Sequence, residues 1–195
     1  MALIDNIWWT RKSRIQTEKR LLANAFQSQL ILLWYSFFSV AISIYYIKFS
    51  DNDDLSGVSW VIYSVLILCM SGFINALSFK ERAGLVKESY EALNLLLQKP
   101  AGTVDEKDII TNEYNKLLGV CENHTDVDYY TALCIEYSSS NASIDTRTNL
   151  KAGFDRAPGV YHWAQFIFWR IKRVVVLTVL YMIPVFILFA IKYLS

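Results

Sequence analysis

Glu122, His124, Asp126 and Asp128 stand close together in this chain and form the constellation most like an acid–base or metal site. A metal site would require further imidazole or thiolate ligands, and an acid–base pair would require both groups on one rigid element. Neither requirement is met, because there is no second His nearby and the stretch straddles an expected helix boundary. Thr125 followed three residues later by Asp128 is instead a capping pair, in which a hydroxyl and a carboxylate satisfy free amides at a helix start. The stretch therefore reads as a hydrogen-bonded bend, with Glu122, Asn123, His124, Asp126 and Asp128 as candidate partner contacts. There is no phosphate-cradling glycine loop, nucleophile elbow or CxxC pair, so no catalytic residue, metal or cofactor is assigned. Cys69, Cys121 and Cys134 read as small buried apolar residues, the latter two in a reducing compartment.

The elements around the bend belong to a membrane. Leu30 to Ile47, Val58 to Leu77 and Val174 to Leu194 are nearly uncharged runs of roughly 18 to 21 residues, enough at about 1.5 Å per residue to cross a hydrocarbon core of about 30 Å. The 195 residues are 54% hydrophobic and carry a net charge of only +1, so no global charge calls for nucleic acid or an acidic ligand. Local charge is more telling. Arg11, Lys12, Arg14, Lys19 and Arg20 precede the first run, and Asp51, Asp53 and Asp54 lie between the first two. Lys80, Arg82 and Lys87 follow the second, and Arg170, Lys172 and Arg173 precede the third. The positive-inside rule then gives a cytoplasmic N-terminus, an acidic loop outside, a cytoplasmic stretch from Phe79 to Arg173 and an external C-terminus. Asn123-His-Thr and Asn141-Ala-Ser match the glycosylation tripeptide but fall on the cytoplasmic side of this arrangement. About 28 largely polar residues precede the first run, which does not fit a cleaved signal peptide.

The expected fold is an all-α membrane protein. Residues 1–28 form a basic amphipathic helix with Ile4, Trp8, Ile15, Leu22 and Phe26 on one face. Two readings of it stay open: contact of Trp8, Trp9, Arg11, Lys12, Arg14, Lys19 and Arg20 with lipid or a partner, or packing on the rest of a cytosolic domain. Residues 29–78 form a two-helix transmembrane hairpin. Residues 79–138 form a cytoplasmic helical domain, whose first helix continues from the second span as one rod with Phe79, Ala83, Val86, Tyr90, Leu93 and Leu97 as its seam. Pro100 and Gly102 end that helix, and Ile110, Tyr114, Leu117 and Cys121 mark the face of its hairpin partner from about Asp105. Val127, Tyr130, Cys134 and Tyr137 mark a third helix. Residues 139–159 read as a flexible loop, and residues 160–195 as an aromatic interfacial segment leading into a third span that Pro184 should kink.

Within the first two spans, polar residues recur on one side. Gln29, Ser36, Ser39 and Ser43 share about a quarter of the first helix, and Ser64, Ser71, Asn75 and Ser78 do the same in the second. Such groups are costly in hydrocarbon without partners or water. Ser36, Ser43, Ser64, Ser71, Asn75 and Ser78 are therefore candidates either for helix packing or for lining a pore.

Three segments resemble a known family. Trp9-Thr-Arg-Lys-Ser-Arg-Ile-Gln-Thr-Glu-Lys-Arg-Leu21, Phe79-Lys-Glu-Arg-Ala-Gly-Leu-Val-Lys-Glu-Ser-Tyr90 and Cys121-Glu-Asn-His-Thr-Asp-Val-Asp-Tyr129 are similar to the SLATT domain, closest to SLATT family five, over about residues 5 to 173. The resemblance implies a two-span membrane effector of bacterial conflict systems that damages the inner membrane in abortive infection. Its implied partners are membrane lipid, further copies of itself, and either a defence reverse transcriptase with its noncoding RNA or a nucleotide second messenger. The third span departs from the two-span description. A non-conducting anchor or scaffold for a reverse transcriptase complex is the alternative, and an enzyme is disfavoured.

Overall fold

The structure, a computed structural model, describes residues 2–49, 54–100, 102–145, 147 and 150–194. Six helices follow one another: α1 (Ala2–Phe49), α2 (Asp54–Ala76), α3 (Phe79–Leu97), α4 (Val104–Leu118), α5 (Asp126–Ser139) and α6 (Val160–Leu194). Among the described residues there is no strand beyond an isolated bridge between Ile144 and Lys151. Asp51 and Asp53 of the expected acidic loop lie outside the described residues. The chain divides into two units, one of Met1–Leu22 with Phe79–Ile171 and one of Ala23–Ser78 with Lys172–Ser195. This division differs from the sequence-based boundaries chiefly in sending the first 22 residues to the same unit as the middle of the chain.

The first unit is organised on the start of α1. Ile7, Thr10, Arg14, Thr17 and Leu21 are buried and alternate three and four residues apart, the spacing of a helix seam. That seam is not the expected face: Ile4 and Leu22 are exposed, and Trp8 and Ile15 are half-buried. The reason is chemical, since the seam includes two threonines and an arginine that bury by hydrogen bonding. Ile7 packs with Leu93 and Leu96 of α3 and Ile110 of α4, and Leu21 packs with Ala83 and Val86 of α3. Arg14 is fully buried and donates to the Ser89 hydroxyl, to Leu117 O at 3.0 Å and to Leu118 O at 3.2 Å. It thus caps the carbonyl end of α4, where the helix dipole is negative.

The start of α4 is closed by a capping box at Thr103, with Glu106 reaching back to the Thr103 amide at 2.9 Å. The same box forms at Thr125 and Asp128, as their spacing predicts, and starts α5. α5 turns Asp128, Ala132, Leu133 and Cys134 inward, and of the expected face of Val127, Tyr130, Cys134 and Tyr137, Cys134 alone is buried. The expected flexible loop is cross-linked by hydrogen bonds within its described residues. Lys151 Nζ donates to Ser140 O at 2.6 Å and Asp145 N to Leu150 O at 2.9 Å. Gly153, at φ 86°, makes the left-handed turn that sends Phe154 towards Trp8, Trp9 and Tyr137.

The expected continuous rod through the second span is broken. α2 ends at Ala76, Ser78 takes φ 44°, and its amide closes a short turn on Asn75 O at 3.2 Å before α3 begins at Phe79. A left-handed residue terminates a helix, because the following amides no longer point at the carbonyls of the preceding turn.

The second unit combines the rest of α1 with α2 and most of α6. The three corresponding helices are long and apolar enough to cross a membrane, with mean hydropathies of 1.4, 1.9 and 2.4 over their best windows. Leu33, Phe37, Val40, Val61, Leu68, Phe73, Val174, Val179 and Phe186 are exposed, an apolar surface that water would not tolerate and lipid would. The interior holds Ile31, Tyr35 and Ser39 of α1, Trp60 and Tyr63 of α2, and Pro184 of α6. α6 remains one helix through Pro184.

Replacing Arg14 by methionine should leave the Leu118 carbonyl and the Ser89 hydroxyl without their donor, and the Leu117 carbonyl with the longer bonds from Val120 N at 3.4 Å and Ser89 Oγ at 3.5 Å, at a cost of about 3 kcal/mol. Denaturant titration of the detergent-solubilised chain, followed by tryptophan fluorescence, measures this, with the exposed Lys19→Ala as a control expected to change stability by less than about 0.5 kcal/mol. Equal midpoints for the two variants would contradict the role given to Arg14.

Candidate functional site

The bend from Cys121 to Tyr129 is where four elements of the first unit meet. Asp128 lies at its centre, 3% exposed, and accepts from Arg20 Nε at 2.9 Å, Arg20 Nη2 at 3.0 Å, Thr17 Oγ1 at 3.0 Å and Thr125 Oγ1 at 2.8 Å. It also receives the Thr125 amide at 3.1 Å, so one carboxylate both caps α5 and binds that helix to α1. Burial pushes the Asp128 carboxyl upward, but the Arg20 guanidinium and the Thr125 bonds outweigh it and hold the group below its ordinary value. Glu122 pairs with Arg82 of α3, with Nε at 2.9 Å. His124 is pushed below its ordinary value by burial and by the nearby charge of Arg14, and its Nδ1 is buried without a hydrogen-bond partner. Asn123 and Asp126 are exposed.

This arrangement ties helices together. The carboxylate most enclosed in the bend accepts from five donors, four on Oδ2 and Arg20 Nε on Oδ1, and all five belong to α1 or to the cap of α5. Among the described residues, no three His, Cys, Asp or Glu side chains gather as a metal-binding group. Of the candidate partner contacts in the bend, Asn123 and Asp126 are the exposed ones.

The basic residues of α1 are mostly engaged within the same unit. Trp9 is buried and its Nε1 donates to Asp155 Oδ1 at 2.6 Å, while Lys12 pairs with Glu136 at 2.7 Å and Arg20 with Asp128. Arg156 lies over the Trp9 ring at 5.6 Å and donates to the Tyr129 hydroxyl at 3.1 Å. Trp8 and Arg11 are half-buried, and Lys19 is exposed. Of the two readings of this helix, packing on the domain describes Trp9, Lys12, Arg14 and Arg20; the charges of Lys12 and Arg20 meet carboxylates and that of Arg14 meets carbonyls within the unit.

In the second unit the polar stripes divide. Ser39 and Ser64 face each other across α1 and α2, with their hydroxyls 3.3 Å apart. Ser43 donates to Ser39 O at 2.8 Å and Ser64 to Trp60 O at 3.0 Å, both within their own helices. Ser36, Ser64 and Asn75 are exposed, whereas Ser43, Ser71 and Ser78 are half-buried. A second polar group, which the hydropathy stripes do not include, lies between α1 and α6. Gln27, Trp34, Tyr35 and Tyr181 exchange three hydrogen bonds there. Its sequence signal is Pro184, because a proline within an apolar helix requires an outside donor for the carbonyl it releases.

Asp128 makes the first unit acid-labile. Its folded value lies below the unfolded one, so its stabilising contribution is complete above about pH 4 and is lost as pH falls through the folded value. The unfolding midpoint of the solubilised chain should drop as pH falls below about 4, and the drop should be shallower for Asp128→Asn. Parallel pH profiles would show that the carboxylate does not carry this dependence.

The comparisons with known proteins agree with the architecture. No curated protein matches this chain, and no solved structure matches it. The family model of the SMODS and SLOG-associating 2TM effector domain, family 5, matches residues 1–191, nearly the whole chain, including α6. With three apolar helices, a hydrogen-bonded helical unit and that match, the chain belongs to family 5 of the SMODS and SLOG-associating 2TM effector domains.

Proposed function

We propose that this protein is a membrane effector of bacterial antiphage defence that self-associates in the cytoplasmic membrane and opens a conducting path when a partner sensor fires. The observation that carries this reading is the set of polar side chains on an otherwise lipid-compatible surface. Ser36 and Asn75 are exposed alongside Phe37 and Phe73. An exposed amide in hydrocarbon is costly, and a second copy or a water-filled path relieves that cost. The basic residues flanking the spans support, by the positive-inside rule, a cytoplasmic first unit that would receive the signal. The trigger in this reading is a reverse transcriptase with its noncoding RNA, or a nucleotide second messenger, and the exposed Asn123 and Asp126 are its contact points. The assignment gives the chain no catalytic step.

A specific observation favours a second reading. The hydroxyls of Ser43 and Ser64 are satisfied within their own helices, which is what a non-conducting anchor for a reverse transcriptase complex would need. The two readings differ in what Ser71 and Asn75 are for.

Replacing both Ser71 and Asn75 by leucine should leave expression and membrane insertion intact and abolish dye entry in triggered cells. An anchor would tolerate the change, and membranes that stay intact in dying cells carrying the wild-type chain would exclude conduction altogether.

A further inference from the structure

Pro184 lies inside α6 and is fully buried. A proline has no N–H for the carbonyl four residues before it, and its ring crowds that turn. Here the released carbonyl is that of Leu180, and the Tyr35 hydroxyl of α1 donates to it at 2.7 Å. The next carbonyl, Tyr181 O, receives Trp34 Nε1 at 3.1 Å. Tyr181 in turn donates its hydroxyl to Gln27 Oε1 at 3.1 Å. Two adjacent side chains of α1 thus reach two adjacent carbonyls of α6, at the turn where the proline has opened the helix.

In hydrocarbon there is no water to take over these bonds, and a released carbonyl without a donor costs far more than it would at a wet surface. α6 can leave α1 only by baring Leu180 O, a penalty added to the loss of packing around Ile31, Tyr35 and Pro184. The penalty is specific to proline: a residue with an amide at position 184 would satisfy the carbonyl within the helix and make the donor from α1 dispensable.

We propose that Tyr35 and Trp34 clamp the third span to the first through the carbonyls that Pro184 opens, and that this clamp restrains the membrane unit in its closed packing. The restraint rests on the conducting reading given above; the clamp rests on the bonds alone. A trigger opens such a unit only by favouring the unclamped packing over the clamped one.

The test is a double-mutant cycle on the full chain, with Tyr35→Phe, Pro184→Ala and the two combined. In detergent micelles, Tyr35→Phe should lower the thermal midpoint by about 4 °C in the Pro184 background and by less than about 1 °C once Pro184→Ala supplies the missing amide. Equal losses in both backgrounds, or no loss in either, overturn the clamp. If Tyr35→Phe fails to accumulate as folded protein, recovery on adding Pro184→Ala supports the clamp and failure to recover overturns it. In untriggered cells, Tyr35→Phe should raise dye entry severalfold, and Pro184→Ala should return it to the wild-type level. Thermal coupling without any change in dye entry overturns the restraint. Triggered wild-type cells that admit no dye overturn the conducting reading and the restraint with it, while the thermal cycle still judges the clamp.

Discussion

Arg14 carries a full charge into the middle of the first unit, and three oxygens receive it: the Ser89 hydroxyl of α3 and the last carbonyls of α4. A buried guanidinium is costly unless it is bonded, and although Nε has no partner, both terminal nitrogens of Arg14 are used, so its position fixes where α3 and α4 stand around α1. Asp128 does the same for α5 with opposite sign, through Arg20 and Thr17 of α1. The apolar contacts of Ile7 and Leu21 fill the space between these polar bonds. α1 is in this sense the axis of the unit. The helices that follow α2 in sequence are arranged by side chains that precede it.

The second unit meets the same demand in a different solvent. Lipid supplies no hydrogen bonds, so every carbonyl that leaves a helical ladder has to be met by protein. Pro184 releases one, and Tyr35 meets it. The buried aromatic groups of this unit combine area with polar tips, which suits an interior that must be apolar on its flanks and donating at one turn. Tyr35 stacks near Tyr63 of α2 while its hydroxyl serves α6, so a single residue links all three membrane-compatible helices.

Family membership and structure support each other at the level of architecture. The match runs through residue 191, so α6 is within the matched domain although the family is described by two spans. The hydrogen bonds between α1 and α6 give a physical account of how a third apolar helix is retained beside the other two.

Much of this was legible in the sequence where the signal is local or additive. The apolar runs that became α1, α2 and α6 stand out because hydropathy sums along a window, and the Thr125–Asp128 cap because its two members are three residues apart. The stop at Pro100 and Gly102 and the hairpin partner with Ile110 and Tyr114 follow from the same kind of reading. The buried face of α1 could not be read that way, because Thr10, Arg14 and Thr17 look like surface residues until the oxygens that bind them are brought near by α3, α4 and α5. The break at Ser78 was hidden for a related reason: the apolar period continues across it, and only the backbone records the left-handed turn. Likewise Pro184 announced a lost amide, but not that Tyr35, far away in the chain, would replace it. Composition along the chain determined that there are membrane-length helices and a helical unit beside them in sequence. Which polar groups are buried was decided in three dimensions, because a hydrogen bond has two ends and the sequence shows them one at a time.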